Sequence, residues 1–599
     1  MRCARRQLDL GAVPSKFDNA IVADRAVPVQ SEPGSTTLPL TAAGLGGVIG
    51  LATFLFFFHL GTYGLWEPDE ARYSEIAREM LASHNFIVPH LNYVPYIEKP
   101  PLLYWLTTLS MSLMGVNEFA ARFVNAFAAL FGVIATSFFA AKTFDARRAI
   151  LAGSVLTTSA IYALMAQVLT TDMLLTAIMT AAMFAFFLHW RDGGRWGWLF
   201  YVAMGFAALT KGPVGVAIPI FVATIFLWRE GDLRGVMRKF HALPGLLVTV
   251  AIVAPWFIAI TIREPGFFDF YFIGEHFRRF FDASYSHDQP IYYYVPILIG
   301  GLVPWTFALP FIPWRHLAPN PARRFCIIAS ATIFAVFSLS NAKLVPYILP
   351  AIPPLAIVIA DGLLTLIDRR GTADPRRLAA LGPLLGIAGA SAIVIAMHAP
   401  EFRAQYPVMV RPAIEISGAI LVAGGLGCFV AFWMRSGVLG LAIVVLTGAA
   451  VLTAISYGRL MAEPLRSYAH LAREIERLEP DARVVCYPRY VQSLPFYCRR
   501  RVILVGGKTE LTFGSEHDPD AANYFFIRRA DLLKLWNDPR PTVFVIDRFA
   551  LDPIKRLLGP YTMIASDLKK VAIMRAGITQ PPKTGDATIP GTDAAIRTH

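Results

Sequence analysis

From Thr41 to Leu60 the chain carries no Asp, Glu, Lys or Arg. Such a stretch is long enough to cross the hydrocarbon of a bilayer as one helix. Similar runs recur almost to Ser456: Phe119–Ala141, Ala149–Ala166, Met173–Trp190, Trp198–Thr210, Pro213–Trp228, Leu243–Ile262, Ile291–Trp314, Phe325–Leu339, Val345–Leu366, Leu378–Met397, Ile416–Trp433 and Val438–Ser456. Roughly thirteen spans predict a polytopic α-helical membrane protein, because only a helix or a closed barrel satisfies its own backbone in lipid. Composition agrees: 55% of the residues are hydrophobic and 16% charged, against about 25% charged in soluble domains. Leu102–Met114 is apolar but short, and reads as interfacial or packed beneath a loop. Residues 1–40 are polar and basic, and the first apolar run is too long for a signal h-region.

Orientation follows from Lys and Arg. With a cytoplasmic N-terminus, the clusters Lys142/Arg147/Arg148, Arg191/Arg195, Arg229/Arg234/Arg238/Lys239, Arg315/Arg323/Arg324 and Arg369/Arg370/Arg376/Arg377 all fall inside, as the positive-inside rule requires. The same assignment puts Asp69, Glu98, Lys99, Asp172, Lys211, His276 and Lys343 outside, although it was made without them. The net charge of +13 therefore belongs to a membrane protein and implies no nucleic-acid partner; no nucleic-acid motif is present. Residues 41–457 form the membrane domain, with long exterior loops at 61–101 and 263–290.

Residues 458–577 have an ordinary soluble composition. A helix over Leu465–Leu478 and strands at Val484–Tyr487, Val502–Val505, Thr542–Ile546, Tyr561–Ile564 and Val571–Met574 predict a small exterior α/β domain. Residues 578–599 are polar and Pro/Thr-rich, the composition of a disordered tail. Cys486 and Cys498 share the exterior domain, either as a bridge or as two separate buried thiols.

Chemistry concentrates in a few exterior strings. Trp66-Glu67-Pro68-Asp69-Glu70-Ala71-Arg72-Tyr73 follows the first span. Helical periodicity over Ala71–Ser83 puts Tyr73, Ile76, Ala77 and Met80 on one face and Arg72, Glu75 and Glu79 on the other. Asp69 is either a first-turn carboxylate favoured by the helix dipole or an acid at the mouth of a membrane cavity. Asp172, between two long apolar runs, is either an N-cap or a functional acid, as ionisable groups in such places usually are. In Tyr96-Ile97-Glu98-Lys99-Pro100-Pro101, Lys99 suits a phosphate and Glu98 a metal; the alternative is a surface ion pair. Lys211 and Lys343 either snorkel into the interface or join Arg72 and Lys99 in a cationic pocket for phosphate. His276, beside Glu275, is a candidate cation ligand.

At these residues the chain resembles the C-type, lipid-carrier-dependent glycosyltransferases of the protein O-mannosyltransferase clan, and most of all the bacterial transferases of aminoarabinose to lipid A. The strings Trp66–Tyr73, Tyr96–Pro101, Thr170-Thr171-Asp172, Leu209–Gly212, Lys343–Pro350 and Gln289-Pro290 before Tyr292-Tyr293-Tyr294 carry the likeness, in family order. The C-terminal domain resembles the family only in being exterior and α/β. The resemblance implies a multi-pass protein of the bacterial inner membrane with its site and C-terminal domain on the periplasmic side. It implies transfer of an amino sugar from a polyprenyl phosphate to lipid A phosphate, with inversion. It makes Asp69 and Asp172 the essential acids. Arg72, Lys99 and Tyr347, with Tyr96, Lys211 and Lys343, would face the donor phosphate. Glu98, with His276, would hold a divalent cation such as zinc. Another sugar with a glycan, lipid or protein acceptor is the alternative within the class. A lipid-linked sugar flippase or transporter is the alternative outside it, although transporters place polar residues at the midplane and often in repeats.

Overall fold

The computed structural model describes residues 37–233, 242–271, 289–314, 319–368, 375–398 and 410–577. The first helix is α1 (Thr37–Phe57). The exterior segment after it folds into α2 (Asp69–Ser83), a two-stranded hairpin of β1 (His90–Leu91) and β2 (Val94–Pro95), and α3 (Leu102–Met114). The bundle continues with α4 (Glu118–Thr143), α5 (Ala146–Thr158), α6 (Ala160–Ala166), α7 (Thr171–Asp192), α8 (Trp196–Lys211), α9 (Val214–Glu230), α10 (Ala242–Arg263) and α11 (Tyr294–Gly301). It ends with α12 (Pro321–Leu339), α13 (Ile352–Asp368), α14 (Leu381–His398), α15 (Arg411–Trp433) and α16 (Gly437–Arg466).

Every expected apolar run is helical over most of its length. Among the described residues, eight helices are long and apolar enough to cross a membrane, or up to ten when each bent pair counts as one span. The bent pairs are α5–α6, at 67°, and α11 with the 3-10 turn Trp305–Phe311, at 101°. The expectation of thirteen is higher because α8 and α9 have only 16 and 17 residues, and the first run contributes the short apolar helix Ala42–Phe57. α3 lies beneath α2: Thr108 donates to the Ala77 carbonyl at 3.1 Å, while Leu109 and Leu113 are exposed.

The bundle ends differ in chemistry. The loops read as interior are tied by arginine pairs. Arg147 meets Asp368 at 2.8 Å, Arg148 and Arg323 share the buried Asp361, and Arg324 grips Glu230 at 2.8 and 2.9 Å. The long segment after α1 instead carries acids and packs against the C-terminal domain.

That domain starts with α17 (Ala469–Leu478), not as one helix from Leu465, because α16 runs on to Arg466 and the chain extends at Ser467. Its strands are β3 (Arg483–Tyr487), β4 (Ile503–Val505), β5 (Phe525–Phe526), β6 (Thr542–Asp547), β7 (Tyr561–Ser566) and β8 (Lys570–Arg575), in the order β5-β4-β3-β6-β8-β7. The first four are parallel, and β8 runs antiparallel to β6 and β7. The unexpected β5 is only two residues long, too short for a periodic signal. Alternate residues serve opposite faces, as a pleated strand requires: Val484, Cys486, Val543 and Val545 join the main core, whereas Val485, Phe544 and Ile546 pack with Leu532 and Trp536. The described cysteines, Cys486 and Cys498 among them, are free and buried. Burial pushes both of these thiols up to about 12.

Contacts at Asn92 and Glu67 are among those that lock this domain onto the segment after α1. The Asn92 side chain donates to the Val502 carbonyl at 2.9 Å and accepts from its N–H at 2.8 Å. Asn92 and Tyr93 both have positive φ, as a two-residue hairpin turn demands. The Glu67 carboxylate accepts the N–H groups of Gln492 at 3.1 Å and Ser493 at 2.8 Å.

Candidate active site

Asp69 opens α2, where the helix dipole favours a carboxylate. Its side chain is 48% exposed and stands 3.6 Å from the Arg72 guanidinium one turn on. Arg72 also donates to the Tyr96 hydroxyl and to Glu510 of the C-terminal domain, both at 3.4 Å. These contacts are at the long limit for hydrogen bonds, and Arg72 Nε is buried without a partner. Burial disfavours the charge on Arg72, but Tyr96, Tyr73, Glu510 and Asp69 outweigh it and hold its pKa above the ordinary value. The Tyr96 hydroxyl donates to Glu98 Oε2 at 2.7 Å.

Asp172 sits in the first turn of α7 and is buried. The N-cap reading is overturned: Thr170 occupies the cap position. Asp172 instead pairs with Lys211, the last residue of α8. Gly212 lets the chain turn there, with φ +75 and its N–H bonded to the Ala208 carbonyl at 2.7 Å. The Lys211 ammonium lies 4.0 Å from the centre of the Tyr347 ring. Asp172, Lys211 and Tyr347, far apart in sequence, thus form one cluster.

The clusters face one region. Burial pushes the Tyr73 hydroxyl well above its ordinary range, and Asp69 and Asp172 both push it further; the field of Asp69 also reaches Lys211. Immediately beside Lys211, an apolar groove of about 640 Å³ opens between Gly212, Pro213, Val250, Phe257 and Ile262. Lys343 is buried and donates to the Gln289 carbonyl at 2.8 Å, so its ammonium does not snorkel freely.

Glu98 and Lys99 are half-buried. Glu98 is one carboxylate that already accepts from Tyr96, and His276 lies outside the described residues. Among the described residues no three His, Cys, Asp or Glu side chains gather in metal-binding geometry. Among the described residues Glu98 is the one expected ligand in place, and one carboxylate does not by itself make a metal site.

Sequence reasoning missed the residues that hold the site in place. Arg122 of α4 is buried and grips Glu70 through two 2.9 Å bonds, while donating to the carbonyls of Leu60, Tyr63 and Gly64. Glu70 also accepts the N–H groups of Trp66 at 3.0 Å and Leu169 at 3.1 Å. Asn125, one turn on from Arg122, donates to the carbonyls of Val168 and Thr170 at 2.6 and 2.8 Å. The loop bearing Asp172 is thus tied to the string bearing Asp69. An arginine inside an apolar run was the available signal, since such groups must be paired. Gln492 and Glu510 were missed because their role arises only when the C-terminal domain docks.

Residues 98–258 match the family model described as dolichyl-phosphate-mannose-protein mannosyltransferase, and residues 471–575 match the aminoarabinose transferase C-terminal domain. The second match corrects the expectation that this domain resembles the family only in location and class. Undecaprenyl phosphate-alpha-4-amino-4-deoxy-L-arabinose arabinosyl transferases from Erwinia tasmaniensis and an Enterobacter species are each 31% identical to the chain. The alignments cover 65% and 68% of this chain and 72% and 76% of the relatives. The crystal structure of ArnT from Cupriavidus metallidurans bound to undecaprenyl phosphate superposes with a TM-score of 0.76 at 27% identity, covering 90% of this chain and 99% of that one. The chain belongs to the family of undecaprenyl phosphate-alpha-4-amino-4-deoxy-L-arabinose arabinosyl transferases.

Proposed function

We propose that this protein transfers 4-amino-4-deoxy-L-arabinose from undecaprenyl phosphate to a phosphate of lipid A, on the periplasmic side of the inner membrane. The observation that carries this reading is the convergence of Arg72, Tyr96 and Asp69 with Asp172, Lys211 and Tyr347 beside an apolar groove. A polyprenyl phosphate needs both features, a cationic seat for its head and an apolar path for its tail. The relatives' substrates, and the neighbour seen with undecaprenyl phosphate, support the same donor. The basic interior loops and the acid-bearing opposite end support the periplasmic placement.

The acceptor's phosphate oxygen attacks the anomeric carbon from the face opposite the carrier phosphate. The new carbon–oxygen bond forms as the old one breaks, the carrier phosphate leaves with the bonding electrons, and configuration inverts. Arg72 and Lys99 neutralise the charge growing on the leaving oxygen and the Tyr347 hydroxyl donates to it, the type of stabilisation that contributes most to such steps. Tyr96, whose proton lies on Glu98, lines the phosphate seat and accepts from Arg72. An anionic acceptor needs little base; any proton it carries passes to Asp69, the more exposed acid. Asp172 holds Lys211 at the groove mouth. Lys343 holds the backbone at Gln289 through its carbonyl. Glu98, with His276, is further proposed as a seat for a divalent cation.

The test is mass spectrometry of lipid A from cells with and without the gene, with purified protein and donor in parallel. Gain of one aminopentose per phosphate is expected; an unmodified lipid A with a modified glycan would move the proposal to another acceptor. For the cation, chelation should slow transfer and Glu98→Gln should lower bound metal content; full activity after exhaustive demetallation would remove it.

A further inference from the structure

We propose that the C-terminal domain supplies the sugar-recognition subsite: Glu510, presented with Gln492 beside Arg72, is the counter-ion for an ammonium group on the donor's sugar. This rests on the phosphate-donor reading above and adds the group that selects the sugar.

Arg72 is loosely held. Its contacts with Glu510 and Tyr96 are 3.4 Å and that with Asp69 is 3.6 Å, well beyond the usual range for charge-assisted bonds. Glu510 is itself fixed from its own domain, where the Gln492 amide donates to it. Gln492 in turn has its N–H on the Glu67 carboxylate at 3.1 Å. The acid therefore stays in place when the arginine is taken by another anion.

Once a phosphate occupies Arg72, Glu510 is left beside a like charge, and an acid at that place lowers affinity for any purely anionic ligand. A ligand that brings its own cation reverses the penalty. A sugar phosphate with an amino group across the ring from the anomeric carbon is such a ligand, with its phosphate for Arg72 and its ammonium for Glu510. Neutral and N-acylated sugars bring no cation and are disfavoured.

The seam between the two domains also holds polar atoms that await partners. Trp66 Nε1, Arg72 Nε, Tyr490 Oη, Gln492 Oε1 and Ser493 Oγ are buried without hydrogen bonds among the described residues. Buried polar groups are normally satisfied. Two of these atoms, Arg72 Nε and Gln492 Oε1, belong to the two residues that touch Glu510, and they are the ones within the subsite for sugar hydroxyls.

The experiment measures binding of three probes to the full-length protein in lipid nanodiscs: undecaprenyl phosphate, its 4-amino-4-deoxy-arabinose ester and the N-acetylated ester. Wild type is expected to bind the amino ester at least about tenfold more tightly than the N-acetylated one, the scale of one charge-assisted bond. Glu510→Gln, which preserves size, should abolish that preference and raise affinity for bare undecaprenyl phosphate. Gln492→Ala should weaken the amino ester without reversing the order. A preference that survives Glu510→Gln, or an equal loss for all three probes, overturns the subsite and leaves Glu510 a merely structural partner of Arg72. Wild type binding none of the three overturns the donor reading itself, and the subsite with it.

Discussion

Asp69 and Glu70 are neighbours in one string, each paired with an arginine, and the two pairs are opposites. Glu70–Arg122 is buried, its bonds are 2.9 Å, and both groups bond to surrounding backbone as well. Asp69–Arg72 is longer, half of it faces solvent, and the arginine keeps an unpartnered buried nitrogen. A saturated pair has nothing left to offer a ligand and serves as a bolt. An undersaturated pair, held by an acid from another domain, retains binding capacity. Hydrogen-bond saturation separates scaffold from site here, where residue type does not.

The most severe way to break the comparison is to cut the bolt. Glu70→Ala leaves the Arg122 guanidinium buried without its carboxylate and frees the Trp66 and Leu169 N–H groups. Removing one partner of a buried pair costs about 3–5 kcal/mol. Lower yield, a lower melting temperature in detergent and no transfer are expected together. A variant that folds normally and loses only transfer would move Glu70 into the chemistry.

Asp172→Asn and Asp69→Asn sharpen the contrast from the other side. Each keeps size, and transfer from the lipid donor should be abolished in both. The melting temperature should stay near wild type for Asp69→Asn, whose carboxylate is half exposed, and fall for Asp172→Asn, which leaves the Lys211 ammonium without its buried carboxylate. Arg72→Ala and Lys99→Ala come next. Loss of one charge-assisted phosphate contact removes roughly 1.5–3 kcal/mol, or about one to two decades in the dissociation constant of undecaprenyl phosphate. Unchanged titrations in both variants would dismiss the cationic seat.

Much of this was legible in the sequence because bilayers are strict: apolar runs, basic loops and out-of-place acids carry large energies and leave periodic traces. Asp69, Arg72, Asp172 and Lys211 stood out for that reason, and the structure groups them. The polar face of α2 was misleading. Periodicity predicts Glu75 and Glu79 on its polar side, yet both are buried, because the C-terminal domain covers that side. No local pattern reports a docking surface formed by residues some four hundred positions away. The same applies to Glu510 and Gln492, ordinary polar residues until the domains meet.

That covered face yields the smallest effect. Glu75 is paired with Arg78 at 2.6 and 2.7 Å. The Glu79 carboxylate accepts the Tyr93 N–H, with oxygens at 3.0 and 3.1 Å. Burial, and then the charge of Glu75, raise the Glu79 pKa well above its ordinary value. A carboxyl whose folded pKa is raised is bound more firmly by its proton in the native state than in the unfolded one. Its contribution to stability is therefore fully present below the unfolded value, near 4.5, and is lost as pH climbs through the folded value. Glu79→Gln keeps an acceptor for Tyr93 and a donor toward Glu75 but cannot ionise. Wild type and variant should melt alike in mild acid. As the buffer is raised from pH 5 to pH 9, the wild-type melting temperature should fall relative to that of the variant. Parallel curves across that interval would mean that the charge of Glu79 is accommodated where it stands, and that α2 is held to the C-terminal domain without a proton.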